Sequence, residues 1–131
     1  MSGWGAGSFE NDDAQGFLAD LESLGIDRLT TILTRAADDP GYLEEPGGSV
    51  AVAAAEVVAT AKGKPPQAVP GQIATWVSKI DGSPSTEMSD LACRAVERVR
   101  TNSELKDLWL EADGLNEWSA ALRDLEARLR S

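Results

Sequence analysis

Apolar residues recur at intervals of three and four along almost the whole chain, and no run alternates apolar with polar residues as a half-buried strand does. This periodicity predicts about six or seven short helices. Ala14, Phe17, Leu18, Leu21 and Leu24 share one face of a first helix, with Asn11 or Asp12 placed to accept its free N–H groups. Gly25 is expected to end that helix in a left-handed conformation, and Asp27 to cap a second carrying Leu29, Ile32, Leu33 and Ala36. The stretch Asp38-Asp39-Pro40-Gly41 stops it, and a loop is predicted over 38–48.

From Ser49 to Lys62 the chain is apolar around most of a helical circumference, which marks a central helix that the others surround. A second loop, 63–71, precedes a short helix with Ile73, Trp76, Val77 and Ile80. Ser85 or Thr86 then caps an amphipathic helix through Val99, with Asp90 and Arg94 as an i,i+4 pair outside. Asn102 or Ser103 starts another, with Leu105, Leu108, Trp109 and Ala112 inward, and Asp113-Gly114 breaks it. In the last helix Leu115, Trp118, Leu122, Leu125 and Leu129 form one stripe, with Asp124 and Arg128 paired on the other side. Its span of under three heptads favours the chain's own core over a coiled-coil seam.

The fold class is therefore all-α: a compact single-domain bundle over 1–131, with a glycine-rich segment, 1–11, docked on it. A length of 131 residues and a hydrophobic content of 42% suit one self-sufficient core. No apolar run is long enough to cross a bilayer, and Met1 to Gly7 lack a basic start and an apolar core, which points to a cytoplasmic protein.

The formal charge of −10 is unevenly placed, with ten acidic against two basic residues from Met1 to Glu45 and twelve against ten from Pro46 to Ser131. Such a field repels nucleic-acid backbones and anionic membranes and attracts a basic protein surface or a divalent cation. Histidine is absent and Cys93 is the one cysteine, which removes the usual general base, the commonest metal ligand and any disulfide. Beside the apolar stripe of its helix, Cys93 reads as a small buried hydrophobe.

The opening Trp4-Gly5-Ala6-Gly7-Ser8-Phe9-Glu10-Asn11-Asp12-Asp13-Ala14 strongly resembles the signature of a bacterial family catalogued as domain of unknown function 4259. Ala53-Ala54-Ala55-Glu56-Val57-Val58-Ala59, Ala95-Val96-Glu97-Arg98-Val99 and Ser103-Glu104-Leu105-Lys106-Asp107-Leu108-Trp109 agree with it in order. Gly16 stands where similar proteins often carry Asp, and Leu110 where an acidic residue is usual. The resemblance implies one compact domain and supplies no activity.

Several residues invite a chemical role. Gly3, Gly5 and Gly7 alternate, which is not the spacing of a dinucleotide loop, and Glu10, Asp12 and Asp13 would repel a phosphate there. Those three carboxylates are the candidate metal ligands, with Glu44, Glu45 or Glu104 able to join them; capping by Asn11 and Asp12 is the plainer account. Glu56 interrupts the central helix, either as a buried general base, as the solvent edge, or as a structural pair with an arginine such as Arg94 or Arg98. Trp4 and Phe9 either dock on the core or anchor a partner.

The reading that unites these features is a non-enzymatic interaction module, immunity-like or antitoxin-like, whose acidic side meets a basic protein with no cofactor. The expected contact residues are Trp4, Phe9, Glu10, Asp12, Asp13, Glu44, Glu45 and Leu110. The competing readings are a small metal-dependent enzyme or cation binder using clustered carboxylates (Glu10, Asp12, Asp13, Glu56, Glu104), and a nucleic-acid mimic.

Overall fold

The computed structural model describes residues 7–80 and 82–131. Seven α-helices and one short 3₁₀ turn occur among them, with no strand. They are α1 (Asp12–Asp20), α2 (Ile26–Asp38), α3 (Glu45–Ala61), α4 (Gly71–Lys79), α5 (Thr86–Thr101), α6 (Glu104–Glu111) and α7 (Leu115–Arg130), with the 3₁₀ turn Leu21–Ser23 after α1.

The central helix contacts each of the other six α-helices. Its sequence explains why: Ala51, Ala53, Ala54, Ala55 and Ala59 are small enough for neighbours to approach closely, and every residue from Ala51 to Ala59 is buried. Around it Leu18, Leu21, Leu29, Leu33, Ile73, Val96, Leu122, Leu125 and Leu129 complete one continuous core. The α7 stripe packs into this core, against α3, α5 and α6.

Local signals set most helix ends. Asn11, Ser85 and Ser103 each accept a backbone N–H of the turn they open, from Ala14 at 2.8 Å, Met88 at 3.1 Å and Lys106 at 3.2 Å. Asp113 takes a left-handed φ of 60° between α6 and α7. Gly114 then passes so close beneath Trp109 that a Cβ there would lie 2.7 Å from the indole.

Several expectations are corrected. The loop predicted over 38–48 is shorter, because α3 starts at Glu45 with Pro46 in its first turn, where a missing N–H costs nothing. Gly48 is inside this helix and against Leu105, a Cβ there lying 3.3 Å from the leucine Cδ1. Gly71 likewise belongs to α4 rather than to the preceding loop. Gly25 is extended (φ −95°) and is the cap position of α2, while the first helix tightens into the 3₁₀ turn; Asp27 is in the first turn of α2 and not its cap. Arg94 pairs with Asp38 of α2 at 3.0 Å rather than with Asp90, because α5 packs beside α2. Ala112 is exposed, since α6 ends at Glu111 before the periodicity reaches it.

Candidate functional site

The structure treats the chain's carboxylates in two ways. Glu56, 3% exposed on α3, is engaged on both oxygens: Arg128 of α7 donates to it at 2.7 and 3.2 Å, and the Ser8 hydroxyl at 2.7 Å. The solvent-edge reading is thereby corrected, and the arginine is Arg128 rather than Arg94 or Arg98, because α7 rather than α5 faces this side of α3. Arg128 also pairs with Asp124 at 2.9 Å. Burial pulls the Arg128 guanidinium toward losing its proton, but its bonds to Glu56 and Asp124 outweigh this and raise its pKa. A carboxylate so engaged has no free lone pair aimed at a substrate, which removes the geometry a general base requires. Glu126, also buried, is held in the same way by Arg100 at 2.6 and 3.2 Å. Cys93 is buried, and that burial raises its thiol pKa, as expected of an unreactive core cysteine.

The acidic N-terminal third differs. The first turns of α1, α3 and α6 bring Asp13, Glu45 and Glu104 together: Asp13 lies close enough to disfavour ionisation of the Glu45 carboxyl, and the Glu45 N–H donates to Glu104 Oε1 at 2.7 Å. The Ser49 hydroxyl donates to Glu45 Oε2 at 2.7 Å. Burial and the neighbouring Asp13 push the Glu45 pKa up to about 7, against the lowering effect of Ser49. The protonated form of Glu45 is thereby favoured. No group of three or more His, Cys, Asp or Glu side chains among the described residues has an arrangement able to hold a metal ion.

Beside this cluster the 39–44 loop is fastened down. Arg98 donates to the carbonyls of Asp39 and Gly41, both at 2.6 Å, and the Glu104 N–H donates to Leu43 O at 2.8 Å. The Tyr42 hydroxyl donates to Asp107 Oδ2 at 2.6 Å, and that bond pushes its pKa up to about 12. The tyrosine remains 54% exposed, and Leu110, one turn beyond Asp107 on the same side of α6, is 59% exposed. Glu104 and Glu111 lie near enough to Tyr42 to disfavour its ionisation. On the other side Tyr42 borders a shallow groove of about 480 Å³ between α2 and the start of α3, lined also by Ile32, Arg35, Asp39, Glu44 and Val50.

Of the residues singled out from sequence, Glu44 lines the groove beside Tyr42, Leu110 is one turn beyond the tyrosine's partner Asp107, and Asp13 and Glu104 adjoin Glu45. Glu10 turns back on its own loop to accept the Gly7 N–H at 2.9 Å, and Asp12 is an exposed first-turn residue of α1. Phe9 is half-buried against the core, which together with the Ser8 bond to Glu56 pins the segment after Gly7 to the bundle. Trp4 lies outside the described residues. Sequence reasoning missed Tyr42 and Asp107. The available signal was a single aromatic residue in a polar loop, but only the tertiary fold reveals that the ring lies along α6.

The model of the family described as a domain of unknown function, DUF4259, matches residues 2–121, and the chain belongs to that family. The match runs from before α1 into α7 and includes every element of the surface around Tyr42. No curated protein and no solved structure was found to match the chain.

Proposed function

We propose that the protein is a non-enzymatic interaction module that binds a basic protein partner through the surface centred on Tyr42 and Leu110. One observation carries this reading: two large, exposed side chains, Tyr42 bonded to Asp107 and Leu110 one turn further along α6, are accompanied by the carboxylates Glu44, Glu104, Asp107 and Glu111. Aromatic and aliphatic anchors supply contact area, and the surrounding charge steers and selects a cationic partner. Arg98, which fastens the loop, and Arg35, which lines the adjoining groove, are cations near this surface, and the four carboxylates outnumber them. Tyr42 is held by its bond to Asp107 and the loop by Arg98, so little ordering is required on binding. An immunity-like or antitoxin-like protein acting on a basic toxin fits this design.

A photo-reactive residue placed at Leu110 in the full chain is expected to cross-link a basic protein in the organism of origin, and one placed at exposed Gln67 is not. No adduct at position 110, or the same adduct from both positions, contradicts the reading.

A further inference from the structure

A second surface has the opposite charge. Where the end of α5, the body of α6 and the start of α7 meet, a groove of about 530 Å³ is lined by Arg100, Lys106 and Arg123, with Asn116 and Ser119 between them and no carboxylate in its wall. That volume falls within the range of small-molecule sites.

The cations are available to differing degrees. Arg123 is exposed and forms no ion pair among the described residues. Lys106 Nζ donates to the Thr101 carbonyl at 3.3 Å, a neutral acceptor that leaves its charge uncompensated. Arg100 is fixed by Glu126 through Nε and Nη2, so Nη1 of a rigid guanidinium remains for another acceptor.

The start of α7 adds to this. Leu115 and Asn116, its first two residues, line the groove, and Gly114 at the cap position offers no side chain to the free N–H groups of that turn. They carry roughly half a positive charge, at the end of the helix whose side lines the groove. The nearby carboxylates are Glu126, which is shared with Arg130, Glu97 on α5 and Glu117 in the first turn of α7. Of the acidic surface, Asp107 adjoins Lys106 in α6 but does not line the groove.

We propose that this groove binds a phosphate dianion, either the free ion or the phosphate group of a small phosphomonoester. Arg123 and Lys106 would supply charge, and the Asn116 amide and Ser119 hydroxyl would donate hydrogen bonds. The proposal stands apart from the recognition surface around Tyr42 and survives its failure.

The test is a titration of the full chain with inorganic phosphate, and separately with a sugar phosphate, at constant ionic strength balanced with chloride, followed by ¹⁵N NMR. The amides of Leu115, Asn116 and Glu117 are expected to shift saturably, and Arg123→Ala to weaken binding by about tenfold or more, the size of one lost charged hydrogen bond. Lys64→Ala, the loss of an exposed cation elsewhere, is expected to leave binding unchanged. Tighter binding of the sugar phosphate assigns the groove to a phosphomonoester, and equal binding assigns it to the ion. Shifts that do not saturate, or that persist unchanged in the exposed-site variant Arg123→Ala, overturn the proposal.

Discussion

Around α7, Glu56 and Glu126 are buried and each is gripped by an arginine, Arg128 or Arg100, through two bonds. Where α1, α3 and α6 begin, Asp13, Glu45 and Glu104 meet instead around a backbone N–H, with no arginine or lysine pairing them among the described residues. The same side-chain chemistry therefore does two different things. Near α7 it locks helices together at the cost of desolvating charge. At the other end it is tolerated because three helix N-termini offset the repulsion, which leaves a surface that still attracts cations. The contrast separates residues whose loss unfolds the protein from residues whose loss leaves the fold intact and costs recognition.

The largest effect is expected where the buried pairing is broken. Arg128→Ala strands Glu56 without its cation and is expected to lower the unfolding free energy by about 3 kcal/mol or more in urea titration. A double substitution, Arg128→Met with Glu56→Met, should recover most of that loss, because the cost lies in the orphaned charge. If the single variant unfolds like the wild type, α7 is not locked by this pair.

Next comes Gly114→Ala. Its Cβ would meet Trp109 at 2.7 Å, and moving a buried indole is expected to cost about 1–3 kcal/mol. Ser103→Ala removes the cap of α6 and is expected to cost about 1 kcal/mol. Both are checked by the same titration, and Ser103→Ala also tests how firmly the start of α6 holds Glu104 against Glu45.

The acidic cluster gives a signature in pH. Because the folded-state pKa of Glu45 is raised to about 7 from 4.5, folding favours its protonated form. That contribution is fully present below about pH 4.5 and is lost as pH rises through 7. Glu45→Gln keeps an acceptor for Ser49 and offers Asp13 a permanent donor. The variant is therefore expected to lose less stability than the wild type between pH 5 and pH 8, and parallel profiles would remove the raised Glu45 pKa from the account.

Much of this architecture was written in local sequence. The apolar stripes of α2, α5 and α7, and the caps at Asn11, Ser85 and Ser103, depend on residues within one or two turns of each other, and these read correctly. Gly47-Gly48 misled, because glycine inside a helix usually signals a break, and the reason for Gly48 is Leu105, more than fifty residues away in the chain. For Glu56 an arginine partner was one of three open readings, and the partners named were wrong, since the choice depends on how α7 sits against α3. That Glu45 or Glu104 could join Asp13 was foreseeable as an option from their charge, but the start of α3 at Glu45, which brings them together, falls within the predicted loop. The placement of Tyr42 along α6 was not, since it is made by loop hydrogen bonds to Arg98 and Asp107 that no periodicity encodes.

The smallest effect on stability is expected at the recognition surface itself. Tyr42→Ala and Leu110→Lys alter exposed side chains, and each should change the unfolding free energy by about 0.5 kcal/mol or less. That tolerance makes the pair the most direct test of the central claim. Full-length wild type and the Tyr42→Ala, Leu110→Lys double variant are compared by quantitative affinity capture from the organism of origin at low and high salt. The account predicts one basic protein held by the wild type, released as salt rises and absent from the equally stable double variant. Equal recovery by both proteins, or no basic partner at any salt, would contradict it.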